Sequence, residues 1–466
     1  MKALETLKAR PDQTILIGLI AVFLSVYLIL SYFPKHGDFF SILYFSSNFA
    51  QHGLGFIDAI NGHTDYPPTF FVIQGTWLKL GTILFNFNLN NFMAVNDQNR
   101  IVCPTFIQMW AMIPYIVCLA TLVAVMYKNL KNKWLVLLCF GTFTFVTVII
   151  MGQIDIFLAL FIGLSMLYLL KTCNNDNYKL NLIISFFLLG MSVQFKTFGI
   201  LLFPVYVLFF YAVYLAKGID FVHIIYDFIK YVLVFVTAAF FIWIPFIKWF
   251  VPIYLTGSTS GEYRFLFAYR LATYGLPQTS TISIWFIGYL LLLYLFFNIV
   301  RKDYRKIYKD QRYPIFFVFA TLAWFFISAY THPQWWIILL PVILLILDNF
   351  KSKLNYILAF GIMSLFIYYP MMWTSNIDKI ISMYFPVISI SEQHKIILTN
   401  LIISILGIWI LELYYEISGR IKTPEDNNSD ININNNKRIN LNNLAPLVIT
   451  IVPFVICLIA VYLLRR

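Results

Sequence analysis

Long apolar runs recur along almost the whole chain, and they limit the fold more than any other feature of the sequence. Each run is about 17 to 22 residues long, which is the length that an α-helix needs to cross the hydrocarbon core of a bilayer. Only 12% of the residues are charged, about half the share found in an ordinary soluble domain. The sequence therefore predicts an all-α polytopic membrane protein, because a β-barrel would show alternating segments of about ten residues.

The apolar runs divide into thirteen predicted spans, of which about 11–13 cross the membrane. They cover residues 13–33, 106–127, 134–151, 155–170, 180–196, 198–216, 230–250, 281–300, 313–331, 335–350, 354–373, 396–414 and 445–464. Residues 67–87 are also apolar, but they begin with two prolines and contain Gly75, Lys79 and Gly81. Because Trp77 and Lys79 suit a membrane boundary, this stretch is predicted to lie in or on the interface as helices.

The distribution of basic residues sets the predicted orientation. If residues 34–105 form one long extracytoplasmic loop, the cytoplasmic segments hold 22 of the 33 Lys and Arg residues, as the positive-inside rule requires. The net charge of +12 then follows from topology and needs no nucleic acid partner. With thirteen spans Arg465 and Arg466 fall outside, against the rule, so either one span does not cross or the last helix is an exception.

Three regions follow from this pattern. Residues 1–414 form the main transmembrane domain with its first outer loop, and residues 445–466 form a C-terminal transmembrane helix. Residues 415–444 are rich in Asn and Asp and are expected to be a disordered cytoplasmic linker. The first apolar run is long enough to be an anchor instead of a cleavable signal. The five cysteines show no metal-ligand spacing and are interpreted as small packing residues.

Ionisable residues stand at the ends of several spans, and with this topology they all face the same side of the membrane. They are Asp38, Asp65, Asp155, Lys196 and His332. Charged groups within a membrane domain are costly, so these residues are functional candidates. No Walker loop, Rossmann glycine fingerprint or HExxH signature accompanies them. No cofactor is therefore evident, although a divalent cation stays open.

Two of these carboxylates lie in the predicted first outer loop. Asp38 directly follows the first span, and in a partly dry cleft it would be a general base, since burial raises the pKa of a carboxyl group. The alternative is a helix N-cap or a solvated loop residue. Asp65 opens an Asp-Tyr-Pro-Pro run in which Pro67 and Pro68 predict a rigid entry to a helix. That structural role does not explain Asp65 or Tyr66.

Two tight turns between spans carry further polar side chains. Gly152 permits a turn that places Gln153 and Asp155 at the membrane boundary, where Asp155 is alternatively a helix N-cap. Lys196 is a compact cation on the side where the charge rule disfavours it. Phosphate binding suits such a lysine, and snorkelling to the interface is the alternative.

The remaining candidates are a histidine and two arginines. His332 precedes Trp335 and Trp336, a pair typical of an interfacial aromatic belt. Beside a phosphate His332 would be a cation or a proton shuttle, and otherwise it is structural. Arg264 and Arg270 alternate with aromatic residues in an outer loop. They would recognise a phosphate with their planar forks or belong to an interfacial amphipathic helix.

Together these motifs resemble the GT-C superfamily of integral-membrane glycosyltransferases, which use lipid-phosphate-linked sugars. The similar features are Asp38 after the first span, Asp65-Tyr66-Pro67-Pro68 in a long outer loop, Gly152-Gln153-Ile154-Asp155, Lys196 and His332. Their order is similar to that in dolichyl-phosphate-glucose-dependent glucosyltransferases and in GPI-type mannosyltransferases and their prokaryotic relatives. The chain departs from the glucosyltransferases at His332-Pro333-Gln334, where they carry a His-Glu-Lys-like element, and it lacks a second acidic residue beside Asp38.

The resemblance implies a GT-C-like bundle whose first outer loop carries interfacial helices. It also implies an enzyme that transfers a hexose, glucose or mannose, from a polyprenyl-phosphate donor to a lipid-linked glycan or other acceptor with inversion. Asp38 would be the general base. The cations that meet the charge of the leaving phosphate would be Lys196, His332, Arg264 and Arg270. The residues that hold the acceptor or brace the loop would be Asp65, Tyr66, Gln153 and Asp155.

Other interpretations stay open. A transporter or flippase of lipid-linked sugars would show repeats and polar residues near the midplane, whereas the polar residues here cluster towards one surface. A GT-C relative that moves a different sugar, or a non-catalytic assembly protein, would share the same architecture. The residue usage, rich in Asn, Ile and Lys, favours a prokaryotic plasma membrane over the endoplasmic reticulum, with the active site extracytoplasmic or lumenal.

Overall fold

The computed structural model describes residues 11–31, 37–56, 67–86, 89, 94–95, 101–102, 105–173, 175–196, 198–246, 284–328, 333–366, 392–419 and 441–463. Within these ranges the chain is almost entirely helical. The exception is a small antiparallel pair of strands, β1 (Ala94–Val95) and β2 (Ile101–Val102). The prediction of an all-α fold class is confirmed at this level.

Fifteen helices are described, and in chain order they are α1 (Pro11–Leu30), α2 (Gly37–His52), α3 (Pro68–Phe85), α4 (Thr105–Asn129), α5 (Lys133–Ile150), α6 (Asp155–Lys171), α7 (Tyr178–Val193), α8 (Phe198–Ala216), α9 (Phe221–Phe240), α10 (Ile284–Lys309), α11 (Arg312–Ser328), α12 (Leu340–Asn349), α13 (Leu354–Leu365), α14 (Glu392–Ile417) and α15 (Leu441–Leu463). Short 3₁₀ segments extend α9 (Phe241–Phe246) and precede α12 (Pro333–Leu339).

Six of the described helices are long and apolar enough to cross a membrane, namely α1, α4, α5, α8, α9 and α14. Shorter apolar helices accompany them, among them α7, α11, α12 and α13. A chain with this many apolar helices is a multi-pass integral membrane protein. The finer prediction of about 11–13 spans stays a prediction, as does the division at residues 414 and 445. The described residues of the predicted linker 415–444 belong to the end of α14, the turn after it and the start of α15.

The segment predicted to be the first outer loop contains a helix that the sequence analysis missed. α2 occupies residues that were expected to be loop, and its buried side chains recur at Phe39, Ile42, Leu43, Ser46 and Ala50. That spacing is the apolar stripe of a helix packed on one face. The helix is too polar to resemble a span, and it packs against α3. α3 itself confirms the predicted helix over residues 67–87.

Two helix boundaries differ from the prediction. α9 begins at Phe221 and not at residue 230, because Asp220 caps its first turn by accepting the backbone N–H of His223 at 3.3 Å. α10 continues to Lys309 through the expected basic loop 301–312, with a break in helical geometry at Asp303. Charged residues were interpreted there as a loop signal, but long basic side chains fit a helix that leaves the apolar region.

α5 lies at the centre of the bundle and is wound irregularly. It is a 3₁₀-helix over Lys133–Phe140, an α-turn over Thr142–Thr144 and a π-helix over Phe145–Ile150. In its apolar window 83% of the residues are buried, against 17% for α1. A helix that is apolar on all sides is stable only when other helices surround it. α1 therefore marks the periphery, with apolar side chains suited to lipid.

A pair of tryptophans joins α3 to α4. The Trp77 indole N–H donates to the Trp110 carbonyl at 2.9 Å, and the Trp110 indole N–H donates to the Trp77 carbonyl at 3.0 Å. The two rings stack with centroids 4.4 Å apart and planes 11° from parallel. Buried aromatic area and two satisfied indole donors fix this pair, so the helix that begins at Pro68 is anchored firmly to α4.

Carboxylates close the loops at one end of the bundle. Asp348 accepts the backbone N–H groups of Lys131 at 2.9 Å and Asn132 at 2.8 Å. Glu416 accepts the backbone N–H of Lys351 at 2.7 Å. Orphan N–H groups in a turn are costly if they are unsatisfied, so these bonds hold the loops before α5 and α13. We call this the capped end of the bundle.

Candidate functional site

A tight turn after α5 brings three predicted motifs towards one place. The π-helix ends as the backbone N–H of Met151 donates to the Val146 carbonyl at 3.0 Å and that of Gln153 donates to the Thr147 carbonyl at 2.9 Å. Gly152 has φ +54, a left-handed conformation that side chains other than glycine rarely adopt. The prediction that Gly152 permits the turn is confirmed.

Gly152 also permits close contact with α2. A Cβ atom at position 152 would overlap Cδ2 of the Phe39 ring and would lie 3.1 Å from its Cγ atom. Phe39 is fully packed, with 1% of its surface exposed. The backbone of Asp38, the residue before Phe39 and the second residue of α2, therefore lies beside the turn at residues 151–155.

A buried ion pair lies at the start of α6. The Lys196 ammonium is 2.8 Å from Asp155 Oδ1 and donates to Asp155 Oδ2 at 2.9 Å. The Asp155 side chain is 0% exposed and the Lys196 side chain 11% exposed. Asp155 is the first residue of α6, while the N-cap position belongs to Ile154. Asp155 therefore pairs with a cation instead of capping the helix, and the structure favours this pairing over a snorkelling lysine.

Helix topology explains why these two charges meet. α6 begins at Asp155, and α7 returns antiparallel to it and ends at Val193, three residues before Lys196. The two helices hold together through a reciprocal serine pair, in which Ser165 donates to the Ser185 carbonyl at 2.7 Å and Ser185 to the Ser165 carbonyl at 2.9 Å. Small polar residues let helices approach closely in membranes.

An indole ring covers the ion pair. The Lys196 ammonium lies 5.2 Å from the centroid of the Trp335 ring, within the range of a cation–π contact. Trp335 also packs edge-on against Phe198, with centroids 5.4 Å apart. It belongs to the 3₁₀ segment Pro333–Leu339, which contacts α6. The tryptophan was expected to be part of an aromatic belt, and the structure places its ring, 7% exposed, against the ion pair.

The buried side chain of Gln194 joins α3, the helix that contains Pro68 of the Asp-Tyr-Pro-Pro run, to the turn that carries Lys196. The Thr69 hydroxyl donates to Gln194 Oε1 at 2.6 Å, and Gln194 Nε2 donates to the Ala238 carbonyl at 2.6 Å. Gln194 is 0% exposed. It therefore ties α3 and α9 to the turn that carries Lys196. Sequence analysis missed Gln194 and Thr69. The available signal was an amide, Gln194, at the end of an apolar run and two residues before Lys196.

We call the end of the bundle formed by residues 151–155, 194–196 and 333–335 the site end. It lies at the start of α6, and the capped end lies beyond the other end of that helix, roughly 25 Å away at 1.5 Å per residue. Gln153 is also at the site end and is fully buried. The other predicted site residues lie outside the described residues, namely Asp65, Tyr66, Arg264, Arg270 and His332. For Asp38 the structure describes the helix position alone.

The site end contains a buried ion pair that is almost completely shielded from solvent. Among the described residues no group of three or more His, Cys, Asp or Glu side chains comes together in a way that would hold a metal ion. The described polar groups include one carboxylate, one ammonium, two buried amides and the Thr69 hydroxyl, and the Trp335 ring lies over the ammonium. Such a site would bind an anionic group through the ammonium in a low-dielectric setting.

The fold and the site define a multi-pass helical membrane protein with a buried ion pair at one end of its bundle. Comparisons with protein-family models, with curated proteins and with solved structures found no match.

Proposed function

We propose that the protein is a polyprenyl-phosphate-sugar-dependent hexosyltransferase, as the resemblance of its motifs implies. One observation carries the proposal. The turn at residues 151–155, the turn that carries Lys196, the segment that follows His332 and the start of α2 beside Asp38 all meet at the site end. Segments that are far apart in sequence, and that carry or adjoin the predicted site residues, thus lie together, which supports a functional site at this end of the bundle.

Asp38 acts as the general base in the proposed reaction. It takes the proton of an acceptor hydroxyl, whose oxygen attacks the anomeric carbon of the lipid-linked hexose. The new carbon–oxygen bond forms as the bond to the phosphate oxygen breaks on the opposite face, so the anomeric configuration inverts. No carboxylic acid is needed to protonate a phosphate leaving group, unlike the leaving groups of glycosidases.

Cations stabilise the phosphate as it departs. Electrostatic stabilisation is strongest where donors are already in place in a site that excludes water. Lys196 is held in that way by Asp155 and Trp335, and His332, Arg264 and Arg270 are proposed as its partners. Asp65, Tyr66 and Gln153 are proposed to hold the acceptor or to brace the loop, and the ion pair to Lys196 supports a bracing role for Asp155.

The site end is proposed to face the outside of a prokaryotic cell. The described loops and helix ends at the capped end carry a large share of the basic residues, including Lys131, Lys133 and Lys351. Positive residues collect on the cytoplasmic side. The acceptor and the sugar are therefore proposed to meet at the outer leaflet, where a polyprenyl chain lies between helices and its phosphate reaches Lys196.

The test compares transfer by the native protein and by Asp38→Asn in liposomes. The donors are polyprenyl-phosphate glucose and polyprenyl-phosphate mannose, offered separately with a lipid extract from the host as acceptor. Asp176→Asn is the matched control, because Asp176 is fully exposed and its partner, Lys217, lies 3.7 Å away in a loop remote from the site end.

We expect covalent transfer by the native protein and the control, and its loss in Asp38→Asn with an unchanged melting temperature. Equal transfer by all three would keep the reaction class and remove Asp38 as the base. Movement of the intact lipid-linked sugar across the bilayer without covalent transfer would replace the proposal with a transporter or flippase.

A further inference from the structure

The ion pair at the site end poses a problem for a phosphate-binding lysine. The Asp155 carboxylate is fully buried, the Lys196 side chain is largely buried, and Lys196 Nζ lies 2.8 Å from Asp155 Oδ1. A buried charge pair costs much of its attraction in lost hydration. An uncompensated Lys196 would attract phosphate more strongly than this pair, in which the net charge is zero.

The charge of the phosphate changes during the proposed reaction. In the donor the phosphate is a diester with one negative charge. After transfer it is a monoester, whose second pKa near 6 gives it a charge of about −1.5 to −2 at neutral pH. A cation that faces this group would therefore hold the product more tightly than the donor, and turnover would stop at product release.

We propose that Asp155 is a counter-charge that lowers the affinity of Lys196 for the spent polyprenyl phosphate and so permits its release. This inference rests on the proposed function. The Asp155 carboxylate repels an added dianion more than a monoanion, because the Coulomb energy scales with the charge. Trp335 holds the ammonium over its ring, so Lys196 keeps its position while it shares its charge between Asp155 and the ligand.

The chain offers a matched control for this pair. Lys179 donates to Asp227 at 2.9 Å, and the Asp227 side chain is 9% exposed. This second ion pair joins α7 to α9 near the start of α7, at the opposite end of that helix from Lys196. The Lys179 side chain is 51% exposed, so Asp227→Asn removes a buried carboxylate from a more exposed ion pair, with no expected effect on a phosphate at the site end.

The experiment measures binding without sugar or acceptor, in nanodiscs of zwitterionic lipid. The probes are farnesyl phosphate, its methyl diester and farnesol, which share one chain and differ in charge. We expect Asp155→Asn to bind farnesyl phosphate about tenfold more tightly than the native protein does, because the repulsion between the carboxylate and the phosphate is removed. The gain in affinity should be smaller for the methyl diester, which carries one charge, and farnesol should bind equally to both proteins. Lys196→Met should weaken both phosphates, and the double variant should bind farnesyl phosphate more tightly than Lys196→Met, because the repulsion from the Asp155 carboxylate does not depend on the ammonium.

Several results would overturn the proposal. They are a weaker affinity of folded Asp155→Asn for farnesyl phosphate, an equal change for farnesol, or the same gain in Asp227→Asn. Competition by inorganic phosphate and by phosphatidate separates the sources of the phosphate group: a lipid phosphomonoester with an isoprenoid chain should compete best. Equal competition by phosphatidate would identify a general lipid site and contradict a product site.

Loss of one partner of a buried pair leaves a charge without compensation, so each variant is first checked for its melting temperature. If Asp155→Asn does not fold, the proposal is tested by crosslinking of the native protein. A photoreactive farnesyl phosphate should crosslink to the peptide that carries Lys196 or Trp335, and crosslinks confined to other peptides would refute the proposal. Because this assay needs no transfer, its failure is distinct from a failure of the hexosyltransferase proposal.

Discussion

Replacing Gly152 with alanine is expected to destabilise the protein for two separable reasons. The backbone of residue 152 is left-handed, with φ +54, which costs a residue with a Cβ atom about 1–2 kcal/mol. The new Cβ atom would also clash with the Phe39 ring, 3.1 Å from Cγ and 3.2 Å from Cβ. Overpacking of a buried site costs about 1–3 kcal/mol, so the total is about 2–5 kcal/mol.

A double-mutant cycle with Phe39 separates the two costs. Phe39→Ala alone removes a buried ring and should cost about 3–5 kcal/mol. In that background the overlap with the ring is gone and only the 3.2 Å approach to the Cβ atom of residue 39 is left. Gly152→Ala should then cost little more than the backbone strain of about 1–2 kcal/mol. The difference between the two costs of Gly152→Ala is the steric coupling between the turn and α2, since residues in contact are not additive.

The free energy of unfolding would be measured by SDS titration in mixed micelles, with transfer activity measured beside it. Gly407→Ala is the control: Gly407 lies within α14 with no atom within 4 Å of an added Cβ and without a left-handed φ. There alanine should stabilise the helix by about 0.5–1 kcal/mol. A Gly152→Ala variant that is as stable as Gly407→Ala, or an unchanged cost in the Phe39→Ala background, would refute the reasoning.

Two further predictions concern the amide bridge and a thiol. Gln194→Ala leaves the Thr69 hydroxyl and the Ala238 carbonyl without the Gln194 amide and should lower the free energy of unfolding by about 1–3 kcal/mol. Gln311→Ala, which removes one longer hydrogen bond of 3.3 Å, should lower it by less. Equal losses in SDS titration would contradict the role of Gln194. Burial, with a smaller contribution from the charge of Asp310, raises the pKa of the Cys173 thiol to about 12. The thiol is therefore protonated at pH 8, and alkylation by iodoacetamide, followed by mass spectrometry of its peptide, should rise steadily with pH up to about 12. Saturation near pH 9 in the folded protein would contradict this.

The membrane class was predictable because it depends on the length and polarity of the apolar runs. The charged residues at the ends of spans were predictable as candidates for a similar reason, since the cost of charge in a bilayer is large and local. The pairing of Asp155 with Lys196 was also within reach. Two successive antiparallel helices bring the start of the first next to the end of the second, and the two residues have opposite charges.

Other features depend on packing that a linear pattern does not reveal. The stripe of α2 from Phe39 to Ala50 has a helical period, but its low hydrophobicity concealed it among loop residues. The change of winding within α5 coincides with Gly141, whose extended backbone ends the 3₁₀ segment, but a single glycine in an apolar run does not predict a π-helix after it. Gln194 resembles any polar residue near a span end until Thr69 and Ala238 are brought to it by tertiary structure.

The irregular winding of α5 changes the length and the width of this helix. A 3₁₀-helix rises about 2.0 Å per residue and an α-helix about 1.5 Å, so the stretch Lys133–Phe140 is about 4 Å longer than the same residues in α-helical form. The π-helix then widens the final turns before Gly152. α5 is thus longer for its number of residues towards the capped end and wider towards the site end, with extended backbone at Gly141 between the two parts. In the proposed hexosyltransferase, a change in this winding would therefore move the turn at residues 151–155, which carries Gln153 and leads into Asp155.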